Sequence, residues 1–421
     1  MSLLKSVGTI AGSSVITQII GAASIWLLSD RYGMAEVGIY ALTFSIVLIG
    51  AQVCTFASQL LLPKQTNELY NQNIVFCLLQ SAIVAVPYAI VCYFIFDYSF
   101  YFLYLLTLCH AWVLISENML LRHEKIKALA FQRLSISILV VSSIMLTANT
   151  TQFYWVWAIC MFVLVNLWIS ISVKWSTLTA SHFSWAKNYQ FFKDNLGHIS
   201  GIGSAEVLAM ANANLPTILV TFWFSSLTAG YFAVVNRFCL SPIIVVGNAV
   251  RNSIFSKWSI DFRNNRFNYQ EFKKVRLMLF VLGAVATAGI FVFYPIVMKL
   301  GFDEEWISSI PTSQYMLPYI FPALAVCPLT VIELVFGSPK YFFRIQVEQL
   351  LVVLSAFVIF PYFFHDYEYS VLLYGVLSFV RYCFIYIKVN RRAYSLKNPE
   401  EVPLFGGSAN KQERTQGPDI G

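Results

Sequence analysis

Long apolar stretches separated by short polar segments dominate the chain. A helix that crosses a bilayer core about 30 Å thick needs roughly 20 mainly apolar residues. Twelve stretches meet this requirement and predict membrane-spanning helices: 7–29, 37–61, 73–96, 99–120, 128–148, 152–173, 196–222, 228–250, 277–300, 313–336, 343–364 and 367–388. The first stretch has no small-residue cleavage site behind it, so we expect a retained span and not a signal peptide.

The distribution of basic residues orients these spans. With the N-terminus in the cytoplasm, the inward-facing loops hold 23 of the 28 Lys and Arg residues, and only Arg31 and Lys299 fall in outward loops. Cytoplasmic loops of membrane proteins carry an excess of Lys and Arg. The pattern therefore predicts a multi-pass membrane protein with both termini in the cytoplasm and basic loops against anionic membrane lipids.

The composition agrees with this assignment. Of the 421 residues, 58% are hydrophobic and only 12% are charged, whereas soluble domains carry about 25% charged residues. A soluble enzyme and a nucleic-acid-binding module are excluded. The eight cysteines lie in apolar stretches without CxxC or metal-ligand spacing, so we expect neither disulfides nor a metal site.

A short internal repeat divides the chain into two halves. Val37-Gly38-Ile39-Tyr40-Ala41 opens the second span, and Ala229-Gly230-Tyr231-Phe232-Ala233 opens the eighth, 192 residues later. Six spans in each half bring both halves into the membrane from the same side, which is a parallel repeat with the substrate expected between the halves. The predicted units are a six-helix bundle at 1–180, a cytoplasmic linker at 181–195, a second six-helix bundle at 196–392 and a disordered cytoplasmic tail at 393–421.

The segment between the first two spans carries a recognisable pattern, in which an Arg, a Gly and an acidic residue precede a Gly and an aromatic residue at the start of the second helix. Its residues are Leu28-Ser29-Asp30-Arg31-Tyr32-Gly33-Met34-Ala35-Glu36-Val37-Gly38-Ile39-Tyr40. This pattern resembles the signature of bacterial O-antigen and capsule exporters, the Wzx-type polysaccharide flippases. Gly230-Tyr231-Phe232-Ala233 resembles its echo at the eighth helix.

This family shares a superfamily with multidrug-extrusion (MATE) transporters and the lipid II flippase. The resemblance implies an all-α, MATE-like fold with two six-helix bundles around a central cavity. It also implies a non-enzymatic flippase of the bacterial inner membrane. Such a protein moves undecaprenyl-diphosphate-linked oligosaccharide units by alternating access from the cytoplasmic to the periplasmic leaflet during lipopolysaccharide or capsule biosynthesis. Its partners would be this lipid-linked substrate and other polysaccharide-assembly proteins.

Two charged residues lie deep inside predicted spans, where a charge is costly. Arg237 lies near the middle of the eighth span, and Glu206 lies about ten residues into the seventh. Arg237 is the candidate ligand of a diphosphate, because a guanidinium binds phosphate oxygens in pairs. Glu206 is the candidate for exchange of a coupling ion. The alternative is a buried ion pair between the two that fixes the helix register.

The other candidates lie nearer the helix ends or are uncharged. Arg31 matches the Arg of the family pattern at the outer end of the first helix and is a candidate substrate ligand of the cavity and gate residue. The alternatives for Arg31 are contact with lipid headgroups or pairing with Asp30 or Glu36. Arg133 is a candidate substrate ligand. Because it lies close to a helix end, it could instead be an interfacial anchor or part of a structural ion pair. The same two alternatives apply to Glu117, Glu333, Glu348 and Arg381. Four amide side chains could bind sugar hydroxyls or join helices: Gln18, Gln52, Asn212 and Asn214.

Proline residues predict where the helices bend. Only Pro87 interrupts a span of the first half. In the second half the interrupting prolines are Pro216, Pro242, Pro295, Pro318, Pro322, Pro328 and Pro361. Because proline kinks helices, we expect more bending in the second half.

Two other functions compete with the flippase. The chain has no GxxxxGK[ST] phosphate loop, so we expect no cofactor. Transport would be driven by an ion gradient, by the substrate's own gradient or by a partner, and an H⁺ or Na⁺ gradient is the expectation. A drug or cation antiporter of the same fold would need acidic and aromatic groups for its substrate, whereas the intramembrane Arg residues favour an anion. A membrane polymerase or glycosyltransferase would need a large outward loop or an acidic metal motif, and the predicted outward loops are short.

Overall fold

The computed structural model describes residues 3–63, 65–173, 178–263, 266–337 and 340–397. Across these ranges the chain is helical and contains no strand. Eleven helices are long and apolar enough to cross a membrane, and one bent helix pair brings the number to twelve when it is counted as a single span. The predicted all-α fold class and its span number are confirmed. Lys64 and tail residues 398–421 lie outside the described residues.

Six helices form the first half: α1 (Leu3–Tyr32), α2 (Met34–Thr55), α3 (Asn67–Phe96), α4 (Phe100–Arg122), α5 (Ile126–Leu146) and α6 (Thr150–Ser172). Gly33 separates α1 from α2 with a φ of 89°, a conformation that side chains other than glycine rarely adopt. The glycine of the sequence pattern therefore makes this turn. α2 ends at Thr55, earlier than predicted, because Phe56 and Ala57 both adopt left-handed backbone conformations.

The segment predicted as a linker is folded. A 3₁₀ turn (Ala180–Phe183) precedes the short helix α7 (Trp185–Asp194). Phe191 of α7 packs against Phe76 of α3 with ring centroids 5.1 Å apart, and Gln72 donates from Nε2 to Asn188 Oδ1 at 2.9 Å. The connection between the halves is therefore docked on the first bundle.

The helices of the second half are α8 (Leu196–Trp223), α9 (Ser226–Val235), α10 (Ser241–Arg263), α11 (Tyr269–Gly301), α12 (Glu304–Ile307), α13 (Ile310–Tyr315), α14 (Leu317–Ala325), α15 (Val331–Phe336), α16 (Lys340–Leu354), α17 (Phe360–Phe363) and α18 (Tyr367–Lys397). The last helix extends beyond the predicted end at 388 and includes the first residues of the predicted tail. Val389 and Ala393 are fully buried there, which explains why this polar segment stays helical.

The second half departs more from regular helices than the first, in agreement with its prolines. A π-turn (Asn236–Leu240) joins α9 to α10, and a second π-turn (Ser355–Ile359) joins α16 to α17. Between α14 and α15 a 3₁₀ turn (Cys327–Thr330) bends the chain by 43°. Pro328, which lies within this turn, cannot donate a helical hydrogen bond.

The two repeated glycines hold the halves together. α2 of the first half crosses α9 of the second, and a Cβ atom on Gly38 would overlap the backbone oxygen of Ser226. A Cβ atom on Gly230 would likewise overlap the backbone oxygen of Met34. Each glycine thus faces the carbonyl four residues before its counterpart. The sequence repeat corresponds to a crossing in which two backbones approach through glycine.

Candidate functional site: the central cavity

A cavity of about 470 Å³ lies between the two halves. Its walls come from α1, α2, α4, α5 and α6 of the first half, and from α8, α9, α10 and the π-turn between the last two. Its polar and aromatic lining residues are Thr17, Ser24, Tyr40, Phe44, Ser45, His110, Glu117, Arg133, Ser137, Trp157, Asn214, Thr217, Asn236, Arg237 and Ser241.

Arg237 lies on the π-turn and points across the cavity to α1. The turn is closed by the Ser241 N–H, which donates to the Asn236 carbonyl. Pro242 follows and cannot donate to the carbonyl four residues before it, which favours a break in the regular ladder at this point. The local irregularity therefore coincides with the deepest predicted cation.

The guanidinium of Arg237 rests in a notch on α1. Its Nη2 donates to the Thr17 carbonyl at 3.4 Å, and it occupies the space that a Cβ atom on Gly21 would take. Its Nε is buried without a hydrogen-bond partner. No carboxylate pairs with Arg237 among the ion pairs of the described residues, so its positive charge is available to a ligand.

The second cation of the cavity is neutralised. Arg133 donates from Nε to Glu117 Oε1 at 2.8 Å and from Nη2 to Glu117 Oε2 at 3.2 Å, a paired geometry that is stronger than a single contact. Glu117 is the one carboxylate lining the cavity in the described part of the chain. The lining thus has one net positive charge, which is centred on Arg237.

Aromatic rings form the wall of the cavity opposite the second half. Tyr40 lies 5.4 Å from Trp157 between ring centroids, and Phe44 lies 6.4 Å from the same ring. His110 meets Trp157 edge-on at 6.2 Å. Tyr40 also interacts electrostatically with Arg237. The cavity therefore places a surface of aromatic rings beside the guanidinium of Arg237.

Glu206 is not the partner of Arg237. Its side chain is exposed, and it lines neither the central cavity nor the smaller chamber in the second half. Its electrostatic partner is Arg251 on α10. The alternative of a buried Glu206–Arg237 ion pair is thus wrong, because α8 directs Glu206 away from the π-turn that carries Arg237.

The remaining predicted residues separate into different environments. Arg31 donates to the carbonyls of Ile144 at 2.5 Å and Met145 at 2.9 Å, where it caps the end of α5 outside the cavity. Asn214 lines the cavity and donates to the Met210 carbonyl at 2.9 Å. Three predicted residues, Arg133, Asn214 and Arg237, therefore share the central cavity.

The other predicted amides lie elsewhere. Gln18 and Gln52 do not line the cavity, and each has one buried side-chain atom without a hydrogen-bond partner. Asn212 lines the smaller chamber inside the second half and donates to the Gln346 carbonyl at 2.8 Å. Sequence reasoning could not assign these faces because each span is apolar on all sides.

Several cavity residues were missed from the sequence. Tyr40 belongs to the sequence pattern, which could have identified it. Arg133 and Glu117 were not missed: Arg133 was predicted as a substrate ligand, and both were predicted as possible members of a structural ion pair, which the structure shows them to form with each other. His110 and Trp157 give no signal in a chain so rich in aromatic residues.

The cavity is closed at the end near the α1–α2 turn. There the Met34 N–H donates to Glu305 Oε2 at 3.1 Å, and the indole of Trp306 donates to Ser29 Oγ at 3.1 Å. Both hydrogen bonds join α12 of the second half to the first half. Together with the Gly38–Gly230 crossing they hold this end shut.

Solved transporter structures share this fold. The sequence matches no protein-family model and no curated protein. The structure is similar to the lipid II flippase MurJ in an inward closed conformation (TM-score 0.69, 14% identity, 92% of this chain and 89% of that one). It is also similar to an inward-facing multidrug resistance MATE transporter of the MOP superfamily (TM-score 0.67, 11% identity, 91% and 96%). A Pyrococcus furiosus MOP-superfamily transporter gives a TM-score of 0.56 at 12% identity, over 93% and 96%. At these identities the likeness establishes the fold.

Proposed function

We propose that the protein is a flippase for undecaprenyl-diphosphate-linked oligosaccharides, the units from which O-antigen or capsule is built, and that it moves them from the cytoplasmic to the periplasmic leaflet. The observation that carries the proposal is Arg237, a guanidinium without a carboxylate partner in a cavity between two halves. A lipid diphosphate cannot cross hydrocarbon with its charge uncompensated. Arg237 supplies the opposite charge near the middle of the path.

The cavity suits the head group of such a lipid. Its volume of about 470 Å³ falls within the range of roughly 300–1,000 Å³ for ligand pockets. Tyr40 and Trp157 offer flat apolar faces to sugar rings, and hydroxyl groups such as those of Ser24 and Thr217 can exchange hydrogen bonds with sugar hydroxyls. The similarity of the fold to a lipid II flippase supports a lipid-linked substrate.

The driving force is proposed to be an H⁺ or Na⁺ gradient, with Glu206 as the coupling carboxylate. Glu206 is exposed, so it can exchange an ion with its surroundings. Its electrostatic link to Arg251 connects it to the chamber within the second half. Protonation of Glu206 would change the charge balance at α8 and α10, two helices that also wall the central cavity.

A cation antiporter fits the cavity less well. Glu117 is the one carboxylate that lines the cavity within the described ranges, and Arg133 already holds it through two hydrogen bonds. A cationic drug would meet the unneutralised charge of Arg237 in the same space. The lining therefore opposes a cation.

Reconstitution in vesicles tests the proposal. The probe is a fluorescent undecaprenyl-diphosphate disaccharide whose outer-leaflet fraction is bleached by a membrane-impermeant reductant. We expect the fraction protected from bleaching to fall only when the protein is present. An imposed ion gradient is expected to accelerate flipping by the wild-type protein but not by Glu206→Gln. Transport of a fluorescent drug cation without any flipping of the lipid would instead establish the antiporter.

Cysteine labelling tests the proposed orientation. In a cysteine-free background, Asn149→Cys and Ser308→Cys are expected to react with an impermeant maleimide added to intact cells, because both positions follow predicted outward ends of helices and are exposed. Lys187→Cys and Lys257→Cys, equally exposed, are expected to react only after the cells are permeabilised. Labelling of the second pair in intact cells would invert or invalidate the topology.

A further inference from the structure

A second chamber lies inside the second half, apart from the central cavity. It has a volume of about 240 Å³ and lies between α8, α10, α16, α18 and the 3₁₀ turn that precedes α15. Its polar lining includes Asn212, Arg251, Gln349 and Arg381. No carboxylate lines this chamber in the described part of the chain.

Arg381 is a buried cation that has no counter-ion among the ion pairs of the described residues. Its side chain is 91% buried (9% exposed). Nη1 donates to Gln349 Oε1 at 2.5 Å and Nη2 donates to the Ile345 carbonyl at 3.0 Å, and both acceptors are neutral. The described ion pairs do not include Arg381. Its Nε is buried without a hydrogen-bond partner.

The neighbours of Arg381 leave its positive charge uncompensated. Tyr382 is a neutral neighbour: its ring lies 5.1 Å from the guanidinium carbon, and its hydroxyl also interacts with Arg381. Arg251 brings a second positive charge to the same chamber. A buried charge is expensive unless it is paired, so Arg381 gives the chamber a preference for an anion. The charge of Arg251 is shared with Glu206 on α8.

We propose that this chamber binds a monovalent anion of the size of chloride. Gln349 and the Ile345 carbonyl engage two of the five N–H groups of Arg381. The buried, unpartnered Nε offers a further N–H to a small anion. The Oδ1 atom of Asn212, which is buried without a partner, can accept a hydrogen bond from a water molecule that hydrates the anion. The site is separate from the proposed lipid path and stands independently of it.

The bound anion would join the helices of the second bundle. Asn212 lies on α8, Gln349 on α16 and Arg381 on α18. An anion between them would link three helices that meet around the charge of Arg381. Anion binding is therefore expected to stabilise the folded protein.

Thermal unfolding of the purified full-length protein tests the site. Five cysteines are buried, Cys54, Cys77, Cys92, Cys109 and Cys239, so a thiol-reactive dye reports unfolding. Sodium chloride is titrated against sodium gluconate at constant sodium concentration. We expect a saturable rise in Tm of about 2 °C at tenfold excess over Kd, and its loss in Arg381→Gln. Arg237→Gln, in the central cavity, is expected to keep the rise.

A second variant covers the case in which Arg381→Gln does not fold. Arg251→Gln removes the other cation and is expected to raise the chloride midpoint at least tenfold. The proposal is overturned if the wild-type protein shows no saturable chloride effect, or if the effect persists unchanged in Arg381→Gln or Arg251→Gln. It is also overturned if only Arg237→Gln removes the effect, since chloride would then occupy the central cavity.

Discussion

Replacing Arg237 with alanine is expected to reduce flipping of the undecaprenyl-diphosphate probe at least tenfold, to near the rate of protein-free vesicles. Hydrogen bonds to charged groups are worth about 1.5–3 kcal/mol, which corresponds to a factor of ten or more. Arg237 supplies the cavity charge that no carboxylate neutralises among the described ion pairs. Arg237→Lys is expected to recover flipping only in part, because an ammonium keeps the charge but loses the planar fork.

Two further variants separate the role of Arg237 from general damage. Arg344→Ala removes an exposed arginine that pairs with Glu348 and is expected to leave flipping unchanged. Gly21→Ala keeps the charge of Arg237 but fills the notch on α1 that holds its guanidinium, so an intermediate loss is expected. Flipping by Arg237→Ala at the wild-type rate, with equal protein in the vesicles, would remove the phosphate-binding role.

The depth of a charged residue could be predicted from the sequence, but its direction could not. Apolar length located the span around Arg237 and its position near the middle, and the structure places this residue in the cavity. The same reasoning left open a buried ion pair between Arg237 and Glu206, but Glu206 is exposed and interacts with Arg251. Spans that are apolar on every side have no periodic pattern that tells which face meets the partner helix.

The sequence also predicted the irregular backbone segments only in part. Pro242 indicates a break in the eighth span, yet nothing in the sequence states that the break is a π-turn carrying Arg237. The segment 181–195 was predicted as a linker, but most of it folds into the helix α7. Phe191 of α7 packs against Phe76 of α3, a tertiary contact that the sequence alone does not reveal. The glycine repeat predicted two equivalent halves, and the structure adds that the two copies touch each other.

This contact between the repeats leads to the second large effect. Gly38→Ala and Gly230→Ala are each expected to separate α2 from α9, because the added methyl group would overlap a backbone oxygen of the facing helix. A backbone atom cannot turn aside as a flexible side chain does. Overpacking of this kind costs about 1–3 kcal/mol. This cost destabilises the conformation in which the two halves are in contact near the α1–α2 turn. The predicted consequence is a lower Tm together with loss of flipping.

Accessibility of the cavity distinguishes opening from general unfolding. Ser24 lines the cavity on α1 and is buried, so Ser24→Cys in a cysteine-free background reports access from the end near the α1–α2 turn. We expect slow reaction with an impermeant maleimide on its own and at least about tenfold faster reaction when Gly38→Ala or Gly230→Ala is added, since about 1.4 kcal/mol shifts an equilibrium tenfold. Gly289→Ala, where a Cβ atom meets nothing within 4 Å, is the matched control.

The two glycine variants also test each other. Gly38 and Gly230 belong to one crossing, in which the first substitution already moves the helices apart and relieves the overlap of the second. The loss of Tm in the double variant is therefore expected to be smaller than the sum of the two single losses, as is usual for residues in contact. Additive losses of Tm, or unchanged labelling of Ser24→Cys in both single variants, would show that closure of this end does not depend on the crossing. The Glu305–Met34 and Trp306–Ser29 contacts would then account for the closure.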